Sequence, residues 1–167
     1  DGNLNVSVGD NAGDAITTGT RNISLGVSAG TQLSTGSDNI LIGQSSGSAA
    51  TSANKNVGIG PYSLQSLNAS GDTYNVGIGY HTGRLITTGV ENVLIGGFAG
   101  DAITTAKFNV ALGHNTLSDN QEGWKNVAIG QSALTNMNPS SASDTYNVAV
   151  GYNAGSSVTT GFQNTFV

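Results

Sequence analysis

The sequence contains no cysteine, two prolines and few charged or aromatic residues. Without cysteine, neither disulfides nor thiolate metal sites can stabilise the fold. Only 9% of the residues are charged and 6% are aromatic, so a 167-residue chain lacks the bulky side chains that fill one compact core. The shortage of charge also argues against a disordered chain, which normally combines high charge with little hydrophobic patterning. These absences favour a thin, stacked core.

Basic residues are scarce as well, because Lys and Arg together number five and the formal net charge is −5. Nucleic-acid binding needs clustered basic residues that neutralise phosphates and release counterions. The sequence also lacks an apolar run near the length of about 18 residues that a membrane helix requires. We therefore expect no nucleic-acid partner, no membrane insertion by this segment and no cofactor.

What the sequence does contain is a repeat. A five-residue phrase of the type Asn-Val-x-Ile-Gly occurs ten times, mostly at steps of 17 residues, with one step of 19 and one of 21. The copies begin at Asn5, Asn22, Asn39, Asn56, Asn75, Asn92, Asn109, Asn126, Asn147 and Asn164. A fixed period of this size is typical of solenoids, in which each rung buries its apolar face against its neighbours. The sequence predicts one repeat domain over 1–167, an all-β parallel β-solenoid (β-roll) of ten rungs, which we interpret as a fragment of a longer fibre.

The second and fourth residues of each phrase are apolar and mostly β-branched, which predicts a short strand with one buried face. On this pattern we expect a core containing Val6, Ile42, Ile59, Ile95 and Ile129. The fifth residue is Gly in every complete copy, such as Gly96, which predicts a position with no room for a side chain. Three residues further on stands a small residue, as expected for a tight inward corner.

The middle residue of each phrase then faces away from the coil's own core, because side chains alternate along a strand. This outward row is small and apolar, which suits a subunit interface better than a solvent face. The predicted interface column is Ser7, Ser24, Leu41, Gly58, Gly77, Leu94, Ala111, Ala128, Ala149 and Phe166.

The phrases at 126–134 (NVAIGQSAL) and 147–155 (NVAVGYNAG) resemble the head repeats of trimeric autotransporter adhesins of the YadA type, and similar repeats in phage tail fibres and other bacterial surface fibres. The resemblance covers essentially the whole chain. It implies a left-handed parallel β-roll, with three copies packed side by side around a fibre axis.

Candidate site residues are few. The carboxylates are scattered over different columns and rungs, so we expect no catalytic pair. His81 and His114 lie two rungs apart, about 10 Å at the strand spacing, which is too far to bind one metal within a chain. Whether three copies of one His could bind an ion on a threefold axis is left open. Exposed aromatic side chains can stack on sugars or contact a protein receptor, and the candidates are Tyr80, Phe98, Tyr152 and Trp124.

These features favour a non-enzymatic, extracellular, structural and adhesive segment of a homotrimeric fibre, on a bacterial cell surface or a virion tail fibre. Its partners would be copies of itself and a glycan or protein receptor on a host or prey cell. One alternative is an ice-binding solenoid, suggested by Thr pairs such as Thr17-Thr18 and Thr87-Thr88. Another is a β-solenoid enzyme that degrades polysaccharides.

Overall fold

A computed structural model describes residues 4–167, and within this range the chain is all-β, without helices. The described part therefore contains no helix that could span a membrane. The chain forms a parallel β-solenoid of about nine turns built from repeats of about 17 residues, as the sequence predicts. The positions of Asp1, Gly2 and Asn3 lie outside the described range.

The strands are short because each rung turns after three residues. They are β1 (Val6–Val8), β2 (Ile23–Leu25), β3 (Ile40–Ile42), β4 (Ser52–Asn54), β5 (Val57–Ile59), β6 (Ser70–Asp72), β7 (Val76–Ile78), β8 (Val93–Ile95), β9 (Val110–Leu112), β10 (Gly123–Trp124), β11 (Val127–Ile129), β12 (Ser143–Asp144), β13 (Val148–Val150) and β14 (Thr165–Phe166). Ten of them form the main sheet, in the order β1-β2-β3-β5-β7-β8-β9-β11-β13-β14.

Every pairing in the main sheet is parallel and in repeat register, so that each residue lies beside its counterpart in the next rung, as Val76 does beside Val93. Among the described rungs, a second strand forms only beside the long rungs. There β4 pairs with β6 and β10 pairs with β12. In the other described rungs the connection back to the main sheet consists of turns and bends.

The middle residue of each strand faces the inside of the coil, so the predicted orientation of the strands is wrong. Leu94 is 0% exposed, whereas its neighbour Ile95 is 39% exposed. Ile129 and Val6, also predicted to lie in the core, are 36% and 51% exposed. From rung two onwards the predicted interface column lies in the chain's own interior: Ser24, Leu41, Gly58, Gly77, Leu94, Ala111, Ala128 and Ala149 are all buried. Ser7, in the first rung, is exposed, and Phe166, in the last, is half-buried and packs on the core.

The prediction failed because side chains alternate along a strand, so residues two positions apart point to the same side. The Asn that begins each phrase points inward, and the middle residue, two positions later, must point inward as well. Because both faces of the strand are apolar, hydrophobicity alone does not choose between them, and a shift of one residue exchanges the two faces completely.

Three columns of side chains fill the inside of the coil: the middle residues of the strands, the corner residues and a third column. In several rungs a large residue in one column lies opposite a small residue in another. Leu41 and Leu94 lie opposite the corner glycines Gly47 and Gly100, where a Cβ would overlap the leucine side chains. In three other rungs the strand carries a small residue and the corner a leucine: Gly58 with Leu64, Ala111 with Leu117 and Ala128 with Leu134. Where both positions are small, as at Gly77 and Gly83, leucines of the adjacent rungs reach the space. The third column contains Leu33, Ala50, Leu67, Ile86, Ile103 and Met137, all fully buried, and buried Asn120 bonds the backbone of Gly123.

The predicted inward corner of small residues is confirmed, since Ala29, Ser46, Ser63, Thr82, Ala99, Thr116 and Ala133 are buried.

A ladder of asparagines runs through the same interior. In a regular rung, the side-chain amide of Asn92 donates to Oδ1 of Asn75 at 3.1 Å and to the carbonyl of Ala106 at 2.9 Å. Its own Oδ1 accepts the backbone N–H and the side-chain amide of Asn109, both at 3.1 Å. Buried polar groups are tolerated when they are hydrogen-bonded in this way. The ladder therefore joins rungs inside the core.

In the two long rungs, a threonine takes over the side-chain contact that an asparagine makes elsewhere in the ladder. In each, a threonine hydroxyl donates to the ladder oxygen below it, Thr73 to Asn56 at 2.7 Å and Thr145 to Asn126 at 2.8 Å. The two threonines belong to the same tetrapeptide, Asp-Thr-Tyr-Asn, at 72–75 and 144–147. The inserted residues thus replace one amide contact with a hydroxyl contact, and the stack continues.

Candidate functional site

The outward side of the main sheet is an unassigned surface, which we call the outer face. It consists of the first and third residues of the strands, with Val167 following β14, and every position is Val, Ile or Leu except Thr165. The first column is Val6, Ile23, Ile40, Val57, Val76, Val93, Val110, Val127, Val148 and Thr165, and the third is Val8, Leu25, Ile42, Ile59, Ile78, Ile95, Leu112, Ile129, Val150 and Val167. In this single chain each of these side chains is half-buried or exposed.

Ion pairs between adjacent rungs occupy one border of this face. The guanidinium of Arg21 binds the Asp38 carboxylate through two hydrogen bonds of 2.6 and 2.8 Å. The Lys55 ammonium binds the carboxylate of Asp72 at 2.5 Å and the hydroxyl of Tyr74 at 3.0 Å.

The second long rung repeats the arrangement with Lys125, Asp144 and Tyr146. Each lysine also lies about 5 Å from a tyrosine ring centre, at 5.1 and 4.9 Å. The hydrogen bond from the lysine is the main reason why the pKa of Asp72 and that of Asp144 lie below the ordinary value. The same bonds raise the pKa of each lysine.

The remaining cations are also engaged, because Arg84 pairs with Asp101 at 3.0 Å and the Lys107 ammonium lies 5.2 Å from the Trp124 ring centre. All five Lys and Arg side chains therefore have an anionic or aromatic partner.

Aromatic side chains gather at the opposite border of the outer face, in the two positions that follow the strand glycine. We call Tyr62, Tyr80, His81, Phe98 and His114 the ring cluster. Tyr80 and His81 are stacked, with ring centres 4.0 Å apart and planes 13° apart. Tyr80 meets Tyr62 and Phe98 edge to face at 6.2 and 5.4 Å, and Phe98 meets His114 at 5.8 Å.

The structure thus brings together two of the four predicted receptor contacts, Tyr80 and Phe98, and adds three rings that the sequence analysis did not group with them. The signal was present, because Tyr62, His81 and His114 stand in the same two turn columns. Tyr152 occupies the same column but is separated from His114 by the rung that carries Gln131, and it is 73% exposed. Trp124 belongs to β10 and packs against the core, so it forms a separate feature.

The ring of Phe98 lies between the rings of His81 and His114, with ring centres 5.4 and 5.8 Å away. The two histidines therefore do not share a site. Among residues 4–167 no group of three or more His, Cys, Asp or Glu side chains is placed to bind a metal ion. An open depression beside β7 and β8 is lined by Tyr74, Glu91 and Val93.

The threonine rows are partly used inside the stack. The hydroxyls of Thr87 and Thr104 donate to the carbonyls of Thr104 and Gln121 in the next rung, at 3.1 and 3.2 Å. Thr17 donates to Ser34 in the same way. The first threonine of each of these pairs therefore contributes to rung-to-rung bonding and does not simply extend a hydroxyl to solvent.

The fold and these surfaces define a class, the parallel β-solenoid repeat proteins. No protein-family model matches the chain, and neither does any curated protein or solved structure. The resemblance to YadA-type head repeats accordingly stays a prediction.

Proposed function

We propose that the chain is a structural and adhesive segment of an extracellular homotrimeric fibre, which attaches a bacterium or a phage to a host or prey cell surface and performs no chemistry. The observation that carries the proposal is the outer face, a continuous apolar strip that follows the whole main sheet. The subunit contact is assigned to this face in place of the buried middle column.

The size of the outer face supports an interaction surface. Three residues at ~3.3 Å per residue and ten rungs at ~4.8 Å give an area of about 480 Å². The largest exposed apolar patch on a typical monomeric protein is about 300–600 Å² and is often functional. The chain has a complete core without this face, since the middle residues of the strands, the corner residues and the third column are buried within one coil. The outer face is therefore available for association.

A cyclic arrangement fits the direction of the strands. All ten strands run parallel and in register, so each coil has two different ends. A rotation axis that runs along the solenoid keeps every coil pointing in the same direction, and we assign three coils to this axis. Three flat apolar strips around that axis would be covered together. The product is a rod about 48 Å long for ten rungs.

The test is to introduce charge into the outer face. Ile95→Lys combined with Ile129→Lys should convert a trimer to monomers, because six ammonium groups would enter an apolar contact. Light scattering on the purified segment measures the mass before and after the change. Both positions are more than one third exposed in the single chain, so each coil should still fold.

The matched control places the same two charges elsewhere, as Thr88→Lys combined with Gln121→Lys, both exposed positions outside the outer face. This variant should remain trimeric. A wild-type segment that stays monomeric at micromolar concentration, or forms only dimers, would contradict the proposal.

A further inference from the structure

The ring cluster covers four consecutive rungs, with Tyr62 in the first, Tyr80 and His81 in the second, Phe98 in the third and His114 in the fourth. It therefore extends about 14 Å along the solenoid axis. Tyr80 is 47% exposed and His114 is also exposed. Tyr62, His81 and Phe98 are half-buried within the cluster and each ring contacts the next, so the cluster is a continuous row of aromatic side chains rather than a set of isolated ones.

Backbone conformation gives an independent reason to assign a role to these rings. Tyr62, His81 and Phe98 have φ values of 60°, 55° and 59°, in the left-handed region that bulky side chains avoid. The same position is occupied by Asn or Ser in the other complete rungs, namely Asn11, Ser28, Ser45, Asn115, Ser132 and Asn153. Asn and His are both enriched several-fold in this conformation, so His81 suits it. Tyr62 and Phe98 place large rings where a small polar residue would be less strained, and such local strain is often found at binding sites.

The chemistry around the cluster indicates the type of ligand. Tyr and His rings combine an apolar face with polar groups at the edge, which matches a sugar ring with its C–H face and its hydroxyls. The two turn columns continue above and below with uncharged hydrogen-bonding residues such as Gln44 and Gln131. From Val27 to Asn153 these columns contain no Asp, Glu, Lys or Arg, so they present no carboxylate, ammonium or guanidinium group to a charged ligand.

We propose that the ring cluster is a binding surface for neutral glycans, on which successive sugar rings stack along the solenoid axis. The inference rests on the proposed attachment function and names its binding site and its ligand class. It concerns the border of the outer face and not the face itself.

The experiment measures binding of neutral hexasaccharides of glucose, galactose, mannose and N-acetylglucosamine to the intact segment by calorimetry and by NMR. An acidic oligosaccharide of galacturonic acid serves as the comparison ligand. We expect at least one neutral hexasaccharide to bind and the acidic one not to bind, because the chain carries a net charge of −5. Binding of none of the neutral sugars, or of the acidic one alone, would overturn the inference.

Two variants locate the site. Phe98→Asn copies Asn115 of the next rung, and Tyr80→Ala removes the central ring. Each should weaken binding about tenfold, since one aromatic stacking contact is worth roughly that factor. Phe98→Asn should also keep or raise the melting temperature, because Asn suits the left-handed backbone better. The control is Tyr152→Ala, which removes an exposed ring in the same column but outside the cluster and should leave binding unchanged.

Light scattering on the same samples separates the two proposals. A trimer whose sugar binding is insensitive to Phe98 and Tyr80 would overturn the glycan site and leave the fibre. A monomer that binds sugar through these rings would overturn the fibre and support the site. Loss of the trimer in Phe98→Asn or Tyr80→Ala would show that the rings are a subunit contact, and would also overturn the inference.

Discussion

The side-chain oxygen of Asn39 accepts hydrogen bonds from both the backbone N–H and the side-chain amide of Asn56, at 3.1 and 3.0 Å. Both residues are almost fully buried, so each rung is joined to the next inside the core as well as through the sheet. Leaving a buried donor or acceptor without a partner costs about 1–3 kcal/mol. The ladder therefore contributes to stability and fixes the register of the stack.

The ladder can be tested in mid-stack with Asn92→Ala. The change removes the amide that bonds Asn75 and Ala106, and leaves two donors of Asn109 without their acceptor. We expect the free energy of unfolding to fall by about 2–4 kcal/mol, measured by denaturant titration. Asn136→Ala, which removes one exposed hydrogen bond to the Ser156 carbonyl outside the ladder, should change it by no more than about 1 kcal/mol. Equal effects of the two changes would contradict the structural role of the ladder.

Because residues 94 and 100 fill the same space in the core, a substitution at one position should partly offset the loss of stability caused by a substitution at the other. Leu94→Ala should cost about 2–5 kcal/mol by leaving a cavity, and Gly100→Leu should cost about 1–3 kcal/mol by overlapping Ile103 and Leu94. The double variant reproduces the combination of Ala111 with Leu117 in the next rung, so we expect it to be more stable than the sum of the single effects by at least about 1 kcal/mol.

The control for this cycle pairs Leu94→Ala with Gly47→Leu, whose added side chain would overlap Leu41 in a distant rung. These two effects should add. Denaturant titrations of all variants provide the comparison, and additivity in the Leu94 and Gly100 cycle would show that the two columns do not share one space.

The strand glycines predict a large difference between two neighbouring positions. Gly96 has φ of 127°, and a Cβ there would overlap the carbonyl group of Gly113. At Gly97 a Cβ would only make ordinary contact with the His114 ring, at 3.5 Å. Gly96→Val should therefore prevent or severely weaken folding, whereas Gly97→Val should be tolerated. Circular dichroism melting curves check this, and similar curves for both variants would remove the steric argument.

The ion pairs predict how stability depends on pH. Hydrogen bonds from Arg21, Lys55 and Lys125 hold the pKa of Asp38, Asp72 and Asp144 below the ordinary carboxyl value. The folded chain then binds fewer protons than the unfolded chain, so this contribution is present above the ordinary pKa of about 3.9. It is lost as the pH falls through the lower folded values. Because the pairs lie at the surface, we expect a modest decrease in melting temperature.

Replacing Asp38, Asp72 and Asp144 together by Asn should flatten this acid-side decrease. The same change in net charge at Asp10, Asp14 and Asp119, which are exposed, should leave the decrease as it is in the wild type. Melting curves between pH 2 and 7 make the comparison. An identical acid profile for all three proteins would show that the ion pairs contribute nothing.

The architecture was predictable from sequence because the 17-residue period and the in-register phrases leave few other folds for the chain. The face that each strand buries was not predicted correctly, although two signals were available. The Asn and the middle residue share parity, and the volumes at Leu41 and Gly47 are reversed at Gly58 and Leu64. Both signals compare columns with one another, whereas the prediction considered the hydrophobicity of each column separately.

The candidate site was predicted in part. Tyr80 and Phe98 stand in turn columns, and exposure there follows from the rung geometry. Their contacts with His81 and His114 depend on the rung spacing and on side-chain rotamers, which no single rung specifies. The role of the repeated Asp-Thr-Tyr-Asn segment was likewise not predictable, because Asp72 and Thr73 bond to different residues of the preceding rung, Lys55 and Asn56.

The strand contacts in the described chain all join neighbouring rungs, and the two Asp-Thr-Tyr-Asn segments make the same bonds to the rung before them. The contacts that hold one rung in place are thus independent of how many rungs the stack contains. A gene that gains or loses a block of four rungs would change the length of the solenoid by about 19 Å while every remaining rung keeps its neighbours. Length is therefore a quantity that evolution can adjust in whole rungs, separately from the core and from the surfaces that the rungs carry.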